Sequence, residues 1–119
     1  MIVKMFKPQF AALVASGKKK QTVRPWPKKL PRVGDNISLR YWTGLPYRSK
    51  QEIAGTSIIL SVEPVTLEAD SVSIDGRLLS PWQLDTFARL DGFADFAALV
   101  AWFTGEHGLP FTGILIKWQ

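Results

Sequence analysis

The chain has 119 residues, 46% of them apolar, no cysteine and a formal net charge of +5. This suits one compact domain over residues 1–119 with a sizeable core, excludes disulfides and thiolate metal sites, and makes the cytoplasm the expected compartment. The charge is unevenly placed: residues 1–50 carry twelve Lys/Arg against the single acid Asp35, whereas residues 51–119 carry three against nine acids. A face so positive would draw a phosphate-bearing partner, because fixed cations steer polyanions and release their counterions.

In chain order, Met1 to Met5 alternates and predicts a first strand. Lys4 and Lys7 interrupt its apolar residues, so no signal peptide is expected, and no later window is long and apolar enough to span a membrane. Pro8 suits the first turn of a helix whose apolar face is Phe6, Phe10, Leu13 and Val14, and Gly17 suits its left-handed cap. Gln21 to Arg24 predicts a short extended segment, and Pro25, Pro27 and Pro31 a stiff loop after it. After the Gly34-Asp35 turn, Ile37, Leu39 and Tyr41 alternate with Ser38, Arg40 and Trp42, the period of a half-buried strand.

A loop over 43–50 leads to a β-rich segment from Glu52 to Val62, with Ile58, Leu60 and Val62 on one face and Pro64 marking its end or a bend. Asp75-Gly76 predicts a two-residue hairpin. Ser80 and Pro81 open a helix with Leu84, Phe87 and Ala88 on one side, ending near Asp91-Gly92. Phe96, Leu99, Val100 and Phe103 define the next helix, and Thr112 to Trp118 a last strand with Ile114, Ile116 and Trp118 on one face. The sum is an α+β domain, expected as a small mixed β-barrel with about three flanking helices.

The densest chemistry is Gly17-Lys18-Lys19-Lys20-Gln21-Thr22-Val23-Arg24. Lysines just beyond a helix C-terminus are favoured by its dipole whatever they bind. A threonine hydroxyl becomes a nucleophile only when a base takes its proton, and crowding by Lys18, Lys20 and Arg24 would lower the pKa of Lys19 toward that role. A carboxylate would then have to orient the lysine. Of the five tryptophans, Trp82, Trp102 and Trp118 lie in periodic segments and read as packing. Trp26, between two prolines in a basic loop, and Trp42, beside Arg40, are candidates to stack on bases. His107, the one histidine, lies in a Gly-bounded turn with no partner spacing for zinc, so neither a metal nor another cofactor is expected.

These residues resemble the ASCH domain family, PUA-like β-barrels related to RNA-binding PUA domains. The stretch 17–24 matches its G-x-K-x-x-T-[IV]-R signature. Phe6-Lys7-Pro8 with Phe10, Leu13 and Val14 is similar to its opening helix, Val33-Gly34-Asp35 to its V-G-D element, and Asp91-Gly92-Phe93 with Leu99, Trp102 and Phe103 to its late acidic-Gly-Phe element and helix. The resemblance implies a PUA-like fold and an RNA, nucleotide or nucleoside ligand in a cleft walled by the signature. Some small bacterial members are amidohydrolases that deacetylate acetylcytidine with a Lys, a Thr and a Glu. By motif these fall on Lys19, Thr22 and Asp91, the last one methylene shorter.

Two functions therefore stand open at this point. One is RNA or nucleotide binding in a basic cleft around 17–32, by Lys18, Lys19, Lys20, Arg24, Trp26, Lys28, Lys29, Arg40 and Trp42. The other is hydrolysis of an acylated nucleoside by Lys19, Thr22 and Asp91, with RNA cleavage as a lesser variant of the catalytic reading.

Overall fold

The computed structural model describes all 119 residues. In chain order the elements are β1 (Ile2–Phe6), α1 (Pro8–Ala15), β2 (Gln21–Arg24), β3 (Asn36–Trp42), β4 (Gln51–Leu67), β5 (Val72–Ile74), β6 (Arg77–Leu78), a 3-10 turn (Pro81–Gln83), α2 (Leu84–Leu90), α3 (Phe96–Glu106) and β7 (Phe111–Trp118). No helix is long and apolar enough to cross a membrane.

The seventeen-residue β4 organises the sheet. Its first half pairs antiparallel with β3, which pairs parallel with β1, and its second half pairs antiparallel with β7 and β5. β7 in turn holds β2 on its other side. The register shifts where β4 passes from one set of neighbours to the other, between Ile59 and Ser61, and an extra residue lets a strand bend in this way.

The result is an α+β domain with a seven-stranded mixed sheet and three helices. The backbone ladder does not close into the expected barrel. β1 pairs only with β3 and β2 only with β7, so a seam stays open between β1 and β2. Across it the Arg24 guanidinium donates from Nη2 to the Met5 carbonyl at 2.7 Å.

Two apolar clusters lie on the two faces of β7. One gathers Phe10, Val14, Ile37, Leu39, Ile59, Ile114, Ile116 and Trp118 under α1. The other gathers Val65, Leu67, Val72, Phe87, Leu99, Phe103 and Leu115 under α2 and α3. Because both faces of β7 are covered, Leu115 is as buried as its neighbours Ile114 and Ile116.

Several expectations change. Phe6 belongs to β1 and not to the helix, although its ring joins the cluster under α1. Pro64 does not end β4, which continues through it to Leu67. Ile58 and Leu60 face outward and Ile59 inward, because alternation fixes a period but no phase where consecutive residues are all apolar. Trp82 does not pack. It is 80% exposed, since it sits in the tighter 3-10 turn and not on the α2 face that carries Phe87 and Ala88. The Asp75-Gly76 turn is as expected, with φ of 51° and 77° between β5 and β6.

Two glycines test this architecture in opposite directions. A Cβ on Gly113 would run into the Arg24 carbonyl across the β2–β7 pair, whereas one on Gly105, in α3, would meet nothing. Urea denaturation should therefore show Gly113→Ala destabilised by about 3 kcal/mol or more. Gly105→Ala should be stabilised by up to about 1 kcal/mol.

Candidate active site

The three cleft lysines of the signature do not act together. After the left-handed Gly17 (φ 79°), the amides of Lys18 and Lys19 both donate to the Leu13 carbonyl at 3.0 Å, closing the C-terminus of α1. The Lys20 amide donates to Leu90 at the end of α2, and the chain then runs into β2. Successive side chains alternate along such an extended segment, so the middle lysine turns inward and its neighbours turn out. Lys18 lines an outer cleft between α1 and α2 beside Arg89. Lys20 reaches the Gln119 carbonyl at 3.0 Å.

Lys19 is 3% exposed, and its Nζ donates to both the backbone carbonyl (2.5 Å) and Oδ1 (3.4 Å) of Asp91, itself 2% exposed. Its stem lies against Gly92, where a Cβ would come within 3.1 Å of Lys19 Cδ and 3.0 Å of the Phe10 ring. With φ of 95° as well, only glycine fits this position. The ammonium sits over the rings of Phe6 (5.4 Å) and Phe10 (5.0 Å).

From β2, Thr22 and Arg24 point to the same side. Arg24 Nε donates to Thr22 Oγ1 at 2.9 Å, and its guanidinium carbon stands 4.8 Å over Phe6. These groups share a cavity of about 240 Å³ beside the open β1–β2 seam. Its aromatic wall is Phe6, Phe10, Phe93, Trp102 and Phe103, and Lys7 and His107 also line it. Lys7 pairs with Glu106 across the ends of α1 and α3 and lies 5.5 Å from the Trp102 ring.

Burial sets the electrostatics. Loss of water pushes the Asp91 carboxyl up to about 6, against the pull of Lys19 and Arg24. Burial also lowers the Lys19 pKa, with Asp91 opposing the shift and Arg24 adding to it. Arg24 is lowered by burial too, yet a guanidinium stays charged. A neutral amine has two hydrogens and one lone pair, and Asp91 offers acceptors for both hydrogens.

The structure thus brings Lys19, Thr22 and Asp91 together and adds Arg24. It leaves Lys18, Lys20, Trp26, Lys28, Lys29, Arg40 and Trp42 outside the cavity. Sequence reasoning missed the cavity role of His107. The side chain was expected in an exposed turn. The residue is solvent-accessible, but its ring packs 4.9 Å from Phe111 and 5.6 Å from Phe103 on the cavity wall. Trp102 likewise combines packing with cavity lining, for which a periodic pattern carries no signal.

The folded state holds the Asp91 proton more tightly than the unfolded chain, whose carboxyl titrates near 3.8. The contribution of Asp91 to stability is therefore full below that value and lost as pH rises through about 6. Removing one partner of a buried pair strands the other, so Asp91→Ala should lose about 3–5 kcal/mol in acid below about pH 6, where Lys19 carries its proton. Its deficit should shrink as pH rises and the unpaired Lys19 sheds its proton. The double change Lys19→Met/Asp91→Leu should recover most of the loss, because two apolar groups need no partner. Urea denaturation across pH reads all three.

No family model, curated protein or solved structure matches the chain.

Proposed function

We propose that this chain is a small PUA-like, ASCH-type amidohydrolase that removes an acyl group from an N-acylated nucleoside of the cytidine kind. The observation that carries the reading is the buried amine of Lys19, held from both sides by Asp91 in the cavity that contains Thr22. The enclosing aromatic rings suit a planar, uncharged substrate, and the signature resemblance supplies its class.

Thr22 Oγ1 attacks the amide carbonyl and its proton passes to the lone pair of Lys19. The hydrogen bond from Arg24 Nε to Oγ1 favours the developing alkoxide, and the ionised Asp91 balances the ammonium that forms. Arg24 Nη1, which has no protein acceptor, is available to the oxyanion. Lys19 then gives its proton to the leaving nitrogen as the C–N bond breaks. Water hydrolyses the acyl-threonine and restores the hydroxyl.

A second reading, an RNA- or nucleotide-binding surface around 17–32, keeps one observation in its favour. Of the twelve cations in residues 1–50, only Lys7 and Lys19 are in ion pairs. It is weakened by the divergence of the lysines within 18–20. RNA affinity falling steeply with salt is its expected outcome, and no retention of any RNA at low salt would sink it.

With an acylated-cytidine panel, Thr22→Ala should abolish turnover while leaving the fold intact, and unchanged turnover would rule out this nucleophile. Lys19→Met should lower kcat by about 10²–10⁴-fold, the usual share of a general base. In the wild-type chain kcat/KM should rise with pH through about 6, as Asp91 ionises. Asp91→Asn should lose that limb together with most of the rate.

A further inference from the structure

The β3–β4 hairpin extends past the strand that supports it. β1 pairs with β3 only as far as Tyr41, so Trp42, the 43–50 loop and Gln51 project beyond the sheet edge. This tip is ordered by its own hydrogen bonds. The amide and hydroxyl of Thr43 both donate to the Lys50 carbonyl at 2.9 Å, the Gly44 amide donates to Ser49 Oγ at 2.9 Å, and Ser49 Oγ donates to the Leu45 carbonyl at 2.8 Å. Within so fixed a loop, Tyr47 is held at φ 61°, a left-handed conformation that side chains of its size rarely adopt, and is 90% exposed. An outlier of this kind persists only where the surrounding structure imposes it, and such residues cluster at binding sites.

The Tyr47 ring leans on Trp42, with centroids 5.2 Å apart and planes tilted by 50°. Arg40, two residues before Trp42 on the same strand, is held by neutral partners, Ser38 Oγ at 2.9 Å and Gln51 Oε1 at 3.2 Å, so its charge is uncompensated. Arg48 and Lys50 are exposed and form no ion pair. There is no acid between Asn36 and Gln51. None of these tip residues lines the Lys19 cavity.

We propose that this tip is a contact site for single-stranded RNA, with a base stacked on the Tyr47–Trp42 pair and flanking phosphates on Arg48, Lys50 and Arg40. Aromatic faces set among unpaired cations match the alternation of base and phosphate along a single strand, and a preformed loop avoids the ordering penalty of binding. A duplex hides its base faces and cannot use the rings. The inference rests on the RNA-binding reading for its ligand, but places the contact outside residues 17–32 and is independent of the cavity's chemistry.

The test is fluorescence anisotropy of the full chain with labelled oligouridine, with the corresponding RNA duplex, and with phosphatidylserine vesicles by sedimentation. Tyr47→Ala should weaken oligouridine binding by roughly five- to a hundredfold, as loss of one stacked base does, and Tyr47→Phe should retain it. Arg48→Gln/Lys50→Gln should make the slope of log affinity against log salt shallower by about 1.4, from two lost phosphate contacts. Oligouridine binding that survives the tip changes but fails in Lys28→Gln/Lys29→Gln would overturn the tip assignment and leave the RNA reading standing. No RNA binding at all would overturn both. A duplex bound as tightly as the single strand, or vesicles bound in place of RNA, would also overturn the tip site.

Discussion

The constraint on which the site depends is the burial of a lysine with its carboxylate. An ammonium and a carboxylate removed from water are tolerated only where hydrogen bonds and opposite charge make up for the lost hydration. Here three separate pieces of chain meet that demand. The turn after α1 delivers Lys19, the C-cap of α2 delivers both the carbonyl and the side chain of Asp91, and β2 brings Arg24. Gly17 lets the chain leave α1 in the direction that sends Lys19 inward, and Gly92 leaves the space its stem occupies. The same burial that makes the pair demanding also brings each partner toward its neutral form, and for Lys19 that is the form the proposed mechanism uses as its base.

The open seam between β1 and β2 gives this pair its access. A fully hydrogen-bonded barrel would seal that side, whereas the unpaired edges leave room for a cavity between the sheet and the rings of α1 and α3. Arg24 has two tasks there. One nitrogen satisfies the Met5 carbonyl at the β1 edge, and another is fixed on the Thr22 hydroxyl. Edge geometry and site chemistry therefore share one side chain, and the apolar clusters on either face of β7 hold both edges in place.

Charge and site separate more than the chain order suggests. The cations of the first fifty residues spread over the outer cleft at Lys18, the C-terminus at Lys20, the irregular proline loop at Lys28 and Lys29, and the β3–β4 hairpin at Arg40, Arg48 and Lys50. A net charge is a sum and carries no direction. The near absence of acids in this half leaves most of these cations uncompensated in the folded chain, but only Lys7, Lys19 and Arg24 line the cavity.

The sequence by itself determined most elements of the fold, because local rules suffice for them: Pro8 and Gly17 bracket α1, Asp75-Gly76 makes the β5–β6 turn, and the periodicity of Phe96, Leu99 and Phe103 sets the buried side of α3. It also singled out Lys19, Thr22 and Asp91, through a motif resemblance that geometry then brought into one cavity. Tertiary structure decided what local rules cannot reach. It chose the phase of β4, which Ile58-Ile59-Leu60 leaves undetermined, and carried that strand through Pro64. It turned Trp82 outward, brought His107 and Trp102 to the cavity wall, and left the barrel unclosed. In each case the deciding contact joins residues far apart in the chain, as Lys19 and Asp91 are, and no period or propensity of a short window encodes it.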